Sequence, residues 1–251
     1  MAAERIRAGT PSTLDRNPCS VKKHGMWLKQ HLVHAQEPRI LDIGCGTGVY
    51  EDLLSPLSEF IVGIDLEKES LKKGASNDKI GFVLADAGAL PFKSDSFGVL
   101  LILEVLEHVN NLDECLAEAH RVLERGGRLF ITVPNRGFPF FTHGYRIGDR
   151  EYSTFLGAPL PIAPYLPRFL LRRIWTARCF TASELTRALK AKGFDTEDLS
   201  FILPAFDGVL TATSRIPKGM MKRFQTLAER FDLRESSWFG STIALVARKS
   251  A

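Results

Sequence analysis

A doubly wound α/β fold, with seven strands in a mostly parallel sheet, is the class that this sequence predicts. Three observations carry it. Short runs rich in Ile, Val and Leu recur from Arg39 onward and alternate only weakly, as strands covered on both faces do. Helical stretches separate them, so each strand returns to the sheet by a right-handed crossover. A glycine loop, Gly44-Cys45-Gly46-Thr47-Gly48, stands directly after the first strand and before the first crossover helix.

In chain order, residues 1–20 are polar, carry Gly9, Pro11 and Pro18, and are expected to form a flexible tail ahead of a domain covering 21–251. Residues 21–36 predict a short amphipathic helix with Trp27, Leu28 and Leu32 inward, interrupted near Gly25. Strands are expected at 39–43, 60–65, 80–85, 98–103 and 128–133, with helices near 49–55, 68–74 and 112–125. The pattern breaks at Pro134. Residues 135–177 hold FPFFTHGY and APLPIAPYLPRFLLRRIW without a period, and a segment of this length after the fifth strand predicts an inserted cap over a binding site. A helix over 181–192 follows, with Thr181 as N-cap, Glu184 three residues on and Gly193 as its stop. Closing strands at 195–203 and 242–248 flank a helix near 218–230.

Composition excludes several classes. The 251 residues are 45% hydrophobic and 25% charged, ordinary for a globular protein. A net charge of +4 does not approach the basic face of a dedicated nucleic-acid binder. The four cysteines, Cys19, Cys45, Cys115 and Cys179, lie far apart and form no CxxC pair. Neither a zinc site nor a disulfide framework is expected, and a reducing, cytoplasmic compartment is the default. No signal-peptide core and no apolar run of about 18 residues is found.

The loop carries the chemistry. Glycines tolerate positive φ and let a ligand lie against bare backbone. The dinucleotide pattern G-x-G-x-x-G fails here, because Val49 fills the third small position and Gly48 comes one residue early. Asp42 precedes the loop, and a carboxylate there suits a ligand bearing an ammonium group better than a pyrophosphate. Asp65 ends the second strand, where an acid can accept both ribose hydroxyls of an adenosine; alternatively it caps the next helix. Asp86 follows the third strand and either accepts from an adenine amino group or closes an Asx-turn. Glu104 and His108 stand at the same rim after the fourth strand. Glu104 either orients the ligand or caps the rim, and His108 is either a base or the start of a helix.

The stretch from Arg39 to Pro134 resembles the class I S-adenosylmethionine-dependent methyltransferases, type 11 branch, on LDIGCGTG, the acid of VGIDLE, ADAGALPF, EVLEHV and HRVLERGGRLFITVPN. FTASELTRALKAKGF and STIALVARK resemble the closing helix and last, antiparallel strand of that family. One departure is Phe97-Gly98 in place of Phe-Asp at the fourth strand, with Asp95 just upstream. The resemblance implies a Rossmann-like methyltransferase fold with S-adenosyl-L-methionine as cofactor. Asp42, Gly44, Gly46, Gly48, Asp65, Leu66, Asp86, Ala87 and Glu104 would then line the cofactor site.

The function expected is methyl transfer to a small-molecule or lipid-like acceptor through oxygen, carbon or nitrogen. His143, in Thr142-His143-Gly144-Tyr145-Arg146, and His108 are the candidate bases. The apolar run 161–175, with Arg168, Arg172 and Arg173, either lies on a membrane surface or packs on the domain. Rival readings are a non-catalytic S-adenosylmethionine-binding partner protein and a nicotinamide-dependent oxidoreductase. A nucleic-acid methyltransferase ranks low, since Glu104-Val105-Leu106-Glu107 replaces the Asn or Asp, Pro, Pro and aromatic run of the amino-group enzymes.

Overall fold

The structure is a computed structural model that describes residues 18–32, 38–71, 77–138, 145–147, 150–152, 177–203 and 240–250. Every second residue of β1 (Arg39–Ile43) points to the same side, and both sides are buried, so the strand needs apolar groups on each. Leu41 and Ile43 join one core cluster, with Leu116 and Ala119 of α4 (Leu112–Val122). Ile40 joins the opposite one, with Trp27, Leu28 and Leu32 of α1 (Pro18–Leu32) and Leu54 of α2 (Val49–Leu54). Each of the buried Leu and Ile side chains contributes roughly 1.5–3 kcal/mol on burial.

The sheet order is β3-β2-β1-β4-β5-β9-β8, where β2 is Phe60–Asp65, β3 Ile80–Leu84, β4 Phe97–Leu103, β5 Leu123–Pro134, β8 Phe194–Ile202 and β9 Thr242–Lys249. The first five pair in parallel, and β9 runs antiparallel to both β5 and β8. This is the seven-stranded, mostly parallel sheet that the sequence predicts. Strand order reverses between β1 and β4, so the loops after these two strands flank the crevice where ligands bind in such sheets. The crossover helices include α3 (Lys68–Leu71) and α4; α5 (Ala182–Lys190) precedes β8.

Some boundaries differ from expectation, each for a physical reason. α1 begins at Pro18, inside the expected tail, and continues through Gly25. A Cβ at Gly25 would stand 2.3 Å from Leu53 Cδ2, so the glycine admits α2 at close range instead of breaking the helix. The helix expected over 112–125 stops at Val122, and β5 starts at Leu123. Phe97 pairs with Leu123 but Val99 with Arg128, so the β5 residues between them bulge, helped by Gly126 at φ 73°. α5 has the expected capping box: Glu184 N–H donates to Thr181 Oγ1 at 3.3 Å, and Thr181 N–H donates to Glu184 Oε2 at 3.1 Å. Gly193 takes φ 82° just beyond it.

The insertion leaves and re-enters at one place. Asn135 bridges Phe180 in parallel, its N–H donates to Ser241 O at 2.8 Å, and its side-chain amide donates to Gly240 O at 2.7 Å. Between these ends the hairpin of β6 (Tyr145–Ile147) and β7 (Arg150–Tyr152) is described. The rest of the expected cap, residues 33–36 of the expected first helix, 72–74 of the third and the helix near 218–230 lie outside the described residues. Among the described residues, no helix is long and apolar enough to cross a membrane.

Candidate cofactor site

The loop Gly44–Gly48 folds back on the end of β2. Gly44 N–H and Cys45 N–H both donate to Ile64 O, at 2.8 and 3.0 Å. Gly44, Gly46 and Gly48 take φ of 79°, 56° and 82°, a region that side chains rarely enter. Two of them are also closed in: a Cβ at Gly44 would meet Val105 Cγ2 at 2.3 Å, and one at Gly48 would meet the Phe82 ring at 2.6 Å. The loop therefore needs glycine for backbone and for space.

Asp65 ends β2 facing this loop. Its Oδ2 accepts Gly46 N–H at 3.0 Å and its Oδ1 accepts Glu67 N–H at 2.8 Å. A carboxylate has about four lone-pair positions, so this fixed group can still accept two hydroxyls. Leu66 beside it is 56% exposed, an apolar face left open at the crevice. Asp86 is exposed and its Oδ1 accepts Gly88 N–H at 2.8 Å, so the Asx-turn alternative is present, with Ala87 half-buried inside it. Asp42 is almost fully buried beneath the loop.

Glu104 stands at the end of β4 with φ 55° and a carboxyl turned inward, where it meets Thr132 and the buried Glu107. Burial lifts Glu104 to about 7, against the hydrogen bonds from Thr132 and Glu107. Burial and the facing Glu104 raise Glu107 well above the usual carboxylate range. His108 lies in a turn, half-exposed, with Nε2 3.9 Å from Glu107 Oε1; α4 starts only at Leu112, capped by Asn111, so His108 does not begin that helix. His143 lies outside the described residues.

Sequence reasoning missed Glu51. It occupies the first turn of α2 and is 1% exposed, packed over Gly63 of β2. Burial first, then the Asp42 carboxylate, pushes it up to about 9. Burial, then Glu51, Asp42 and Asp65, drive the Cys45 thiol far above its ordinary value. The available signal was Gly63, a residue without a side chain directly across from Asp42 in the sheet register.

The sheet, the glycine loop and an acid closing the second strand define an α/β protein of the doubly wound class, with loop and acid side by side at the point where the strand order reverses. Residues 41–131 match the family model described as "Methyltransferase domain". A Mycolicibacterium smegmatis protein named "Probable S-adenosylmethionine-dependent methyltransferase" is 25% identical over 202 residues, covering 77% of this chain and 68% of its own. Ubiquinone biosynthesis O-methyltransferase of Pelagibacter ubique is 32% identical over 103 residues, covering 39% and 42%. The chain thus spans from about a third to about two thirds of the lengths of the curated relatives it matches. The crystal structure of a S-adenosylmethionine-dependent methyltransferase from Mesorhizobium loti has the same fold, at TM-score 0.60 and 18% identity over 91% of this chain and 99% of that one. The family model, its match confined to residues 41–131, and the relatives agree on the likeness of this chain to S-adenosylmethionine-dependent methyltransferases. Its cofactor is S-adenosyl-L-methionine.

Proposed function

We propose that this chain transfers a methyl group to a small, lipid-like acceptor lying between the sheet rim and the 135–177 insertion. The observation that carries the reading is the Asp65 carboxylate, tied to Gly46 N–H at 3.0 Å where the strand order reverses. A cation fits these surroundings, because the Asp42 and Asp65 carboxyls both lie close to the Cys45 position of the loop. When bound, the cofactor supplies a methyl group on a sulfonium, which leaves as a neutral thioether.

This chain's residues then have separable tasks. Asp65 accepts the ribose hydroxyls, Leu66 and Ala87 cover the adenine, and Asp86 receives its amino group through the oxygen not used in the turn. Gly44, Gly46 and Gly48 bring bare backbone against the methionine part, with Asp42 behind its ammonium. Glu104 holds the rim between the cofactor and the acceptor. In-line displacement gains most from aligning the reactants at near-attack distance and excluding water. A hydroxyl acceptor also needs a base, for which His108 and His143 are the candidates.

The quinone-pathway name of the Pelagibacter relative supports a lipid-like acceptor. The aromatic insertion and the arginines at 168, 172 and 173 suit reaching it at a membrane surface. Free thiols at Cys45, Cys115 and Cys179 accord with a cytoplasmic setting. The test is calorimetry with S-adenosylmethionine and with NAD, followed by release of S-adenosylhomocysteine over phenols, quinols and polar metabolites. Binding of S-adenosylmethionine alone with turnover on an apolar acceptor is expected. Preference for NAD overturns the assignment, and binding without turnover on any acceptor favours a partner protein.

A further inference from the structure

The connection between β3 and β4 contains neither helix nor strand over residues 85–96, yet it passes β2 and β1 to reach its place in the sheet. Its backbone groups therefore need partners beyond those of a regular element. At the rim the turn supplies its own: Asp86 Oδ1 accepts Gly88 N–H at 2.8 Å, and Asp86 O accepts Ala89 N–H at 3.0 Å. From Leu90 onward the partner is α4. Glu118 Oε2 accepts Leu90 N–H at 2.7 Å, while Arg121 donates to Leu90 O at 3.0 Å and to Phe92 O at 2.7 Å. Further on, Asp95 N–H and Ser96 N–H donate to Arg121 O and Val122 O, at 3.0 and 2.8 Å.

Glu118 and Arg121 act as one unit. They lie three residues apart on α4, and Arg121 holds Glu118 by two bonds, Nε to Oε1 and Nη2 to Oε2, each 2.7 Å. The pair thus takes both backbone groups of Leu90, as a neighbouring strand would, with Nη1 left over for Phe92 O. Leu90 itself is buried in the core cluster that includes Leu116 and Ala119 of α4. Only residues 87–89 separate this anchor from Asp86, and Asp86 and Ala89 are paired in a bridge. The turn is closed on itself, so a shift at Leu90 becomes a shift at Asp86. As an ion pair with side chains 35% and 21% exposed, Arg121 and Glu118 contribute little to folding. What they decide is where the turn sits.

We propose that Glu118 and Arg121 are positioning residues that set the nucleobase specificity of the cofactor site, by fixing from α4 the turn on which Asp86 meets the adenine amino group. This rests on the assignment of Asp86 to the adenine. Both side chains act through the backbone of Leu90 and Phe92. Without them the turn keeps its internal hydrogen bonds but loses its fixed place, and the site accepts a purine lacking the amino group almost as well.

The test compares, by calorimetry on the full chain, S-adenosylhomocysteine with S-inosylhomocysteine, which carries a carbonyl where adenine has its amino group. Wild type should prefer the adenosyl ligand by at least about tenfold, because the Asp86 carboxylate loses a donor and faces an oxygen. Arg121→Met keeps the apolar stem and removes every donor. It should weaken the adenosyl ligand by roughly tenfold and bring the preference within about threefold, while Tm falls by no more than about 4 °C. Arg121→Lys keeps the charge beside Glu118 but cannot reach Leu90 O and Phe92 O together, so it should lose preference in the same sense. A purely structural role would weaken both ligands by one factor. A preference that stays at the wild-type ratio in Arg121→Met overturns the proposal; if that variant does not fold, the ratio in Arg121→Lys decides. A wild type that binds both ligands equally overturns the adenine assignment and the proposal with it, and one that binds neither overturns the cofactor reading itself.

Discussion

Asp65 and Gly46 are joined by a hydrogen bond of 3.0 Å that spans 19 residues and holds the glycine loop against the end of the neighbouring strand. The second Asp65 oxygen receives Glu67 N–H at 2.8 Å, so the carboxylate is fixed before any ligand arrives. Such preorganisation lowers the ordering cost of binding. It also means that Asp65 serves the loop and the ribose together.

Asp65→Ala should therefore weaken S-adenosylmethionine through both. Charge-assisted hydrogen bonds are worth about 1.5–3 kcal/mol, so a ten- to hundredfold rise in Kd is expected by calorimetry. An unchanged Kd would remove Asp65 from the ribose position.

Gly46→Val should abolish binding of S-adenosylmethionine. Gly46 has φ 56° and donates its N–H to Asp65. A β-branched residue is a severe outlier in that region, so the loop must shift and break the bond. Circular dichroism should report an unchanged sheet, because the loop lies outside the core clusters; normal cofactor binding by the variant would place the site elsewhere.

The sheet was legible because its period is carried by many residues at once: Ile40, Leu41 and Ile43 on β1, and Val99 to Leu103 on β4, each report two covered faces. The loop was legible because three glycines with Asp42 and Asp65 are a local pattern. Glu51 was not. On a helical period it reads as a solvated neighbour of Asp52, and only the missing side chain of Gly63 turns it inward. Glu107 was hidden in the same way, since its burial depends on the returning segment at 177–180, where Arg178 N–H donates to Glu107 O at 3.1 Å. Gly25 misled for the converse reason: a contact with Leu53, distant in sequence, outweighs its poor helix propensity.

His24 should make the protein acid-sensitive well above the carboxylate range. It is 3% exposed, with Nδ1 3.2 Å from the Tyr50 hydroxyl, and burial, then Lys23, lowers it to about 4. The unfolded chain then binds a proton near pH 6.5 that the folded chain refuses until about pH 4. Stability is complete above pH 6.5 and falls as pH drops through that window, by up to roughly 3 kcal/mol. Urea unfolding at pH 7, 5.5 and 4.5 reads it. His24→Phe should flatten the curve; an equal acid loss in the variant would assign it to other groups.

Glu104 is expected to trade stability for function. Its φ of 55° is strained for a residue with a Cβ, and its carboxyl is buried against that of Glu107. Glu104→Gly relieves both, and relief of about 1 kcal/mol would raise Tm by about 2–4 °C in a protein of this size. Methyl transfer should fall at the same time. A variant less stable than wild type by calorimetric scanning at pH 8 would show that the carboxyl pair contributes to folding.

The insertion can be tested apart from the sheet because its two ends are pinned together. Asn135 and Phe180 pair side by side, Arg136 N–H donates to Phe180 O at 2.8 Å, and Phe138 is buried at 5% exposure. Replacing 139–176 with a short flexible linker therefore leaves those bonds, the glycine loop, Asp65 and Asp86 intact. Cofactor affinity should stay within a fewfold. Transfer to the acceptor should be lost, since the removed residues carry Phe140, Phe141, Phe155, Tyr165, Phe169 and Trp175, more apolar surface than a solvated loop would hold. Hydrogen exchange on the full chain completes the argument: added protection within 135–177 on acceptor binding is expected from a cover that closes over the site. No added protection, with a deletion variant that sediments as a monomer while wild type sediments as a dimer, would make the insertion a subunit interface instead.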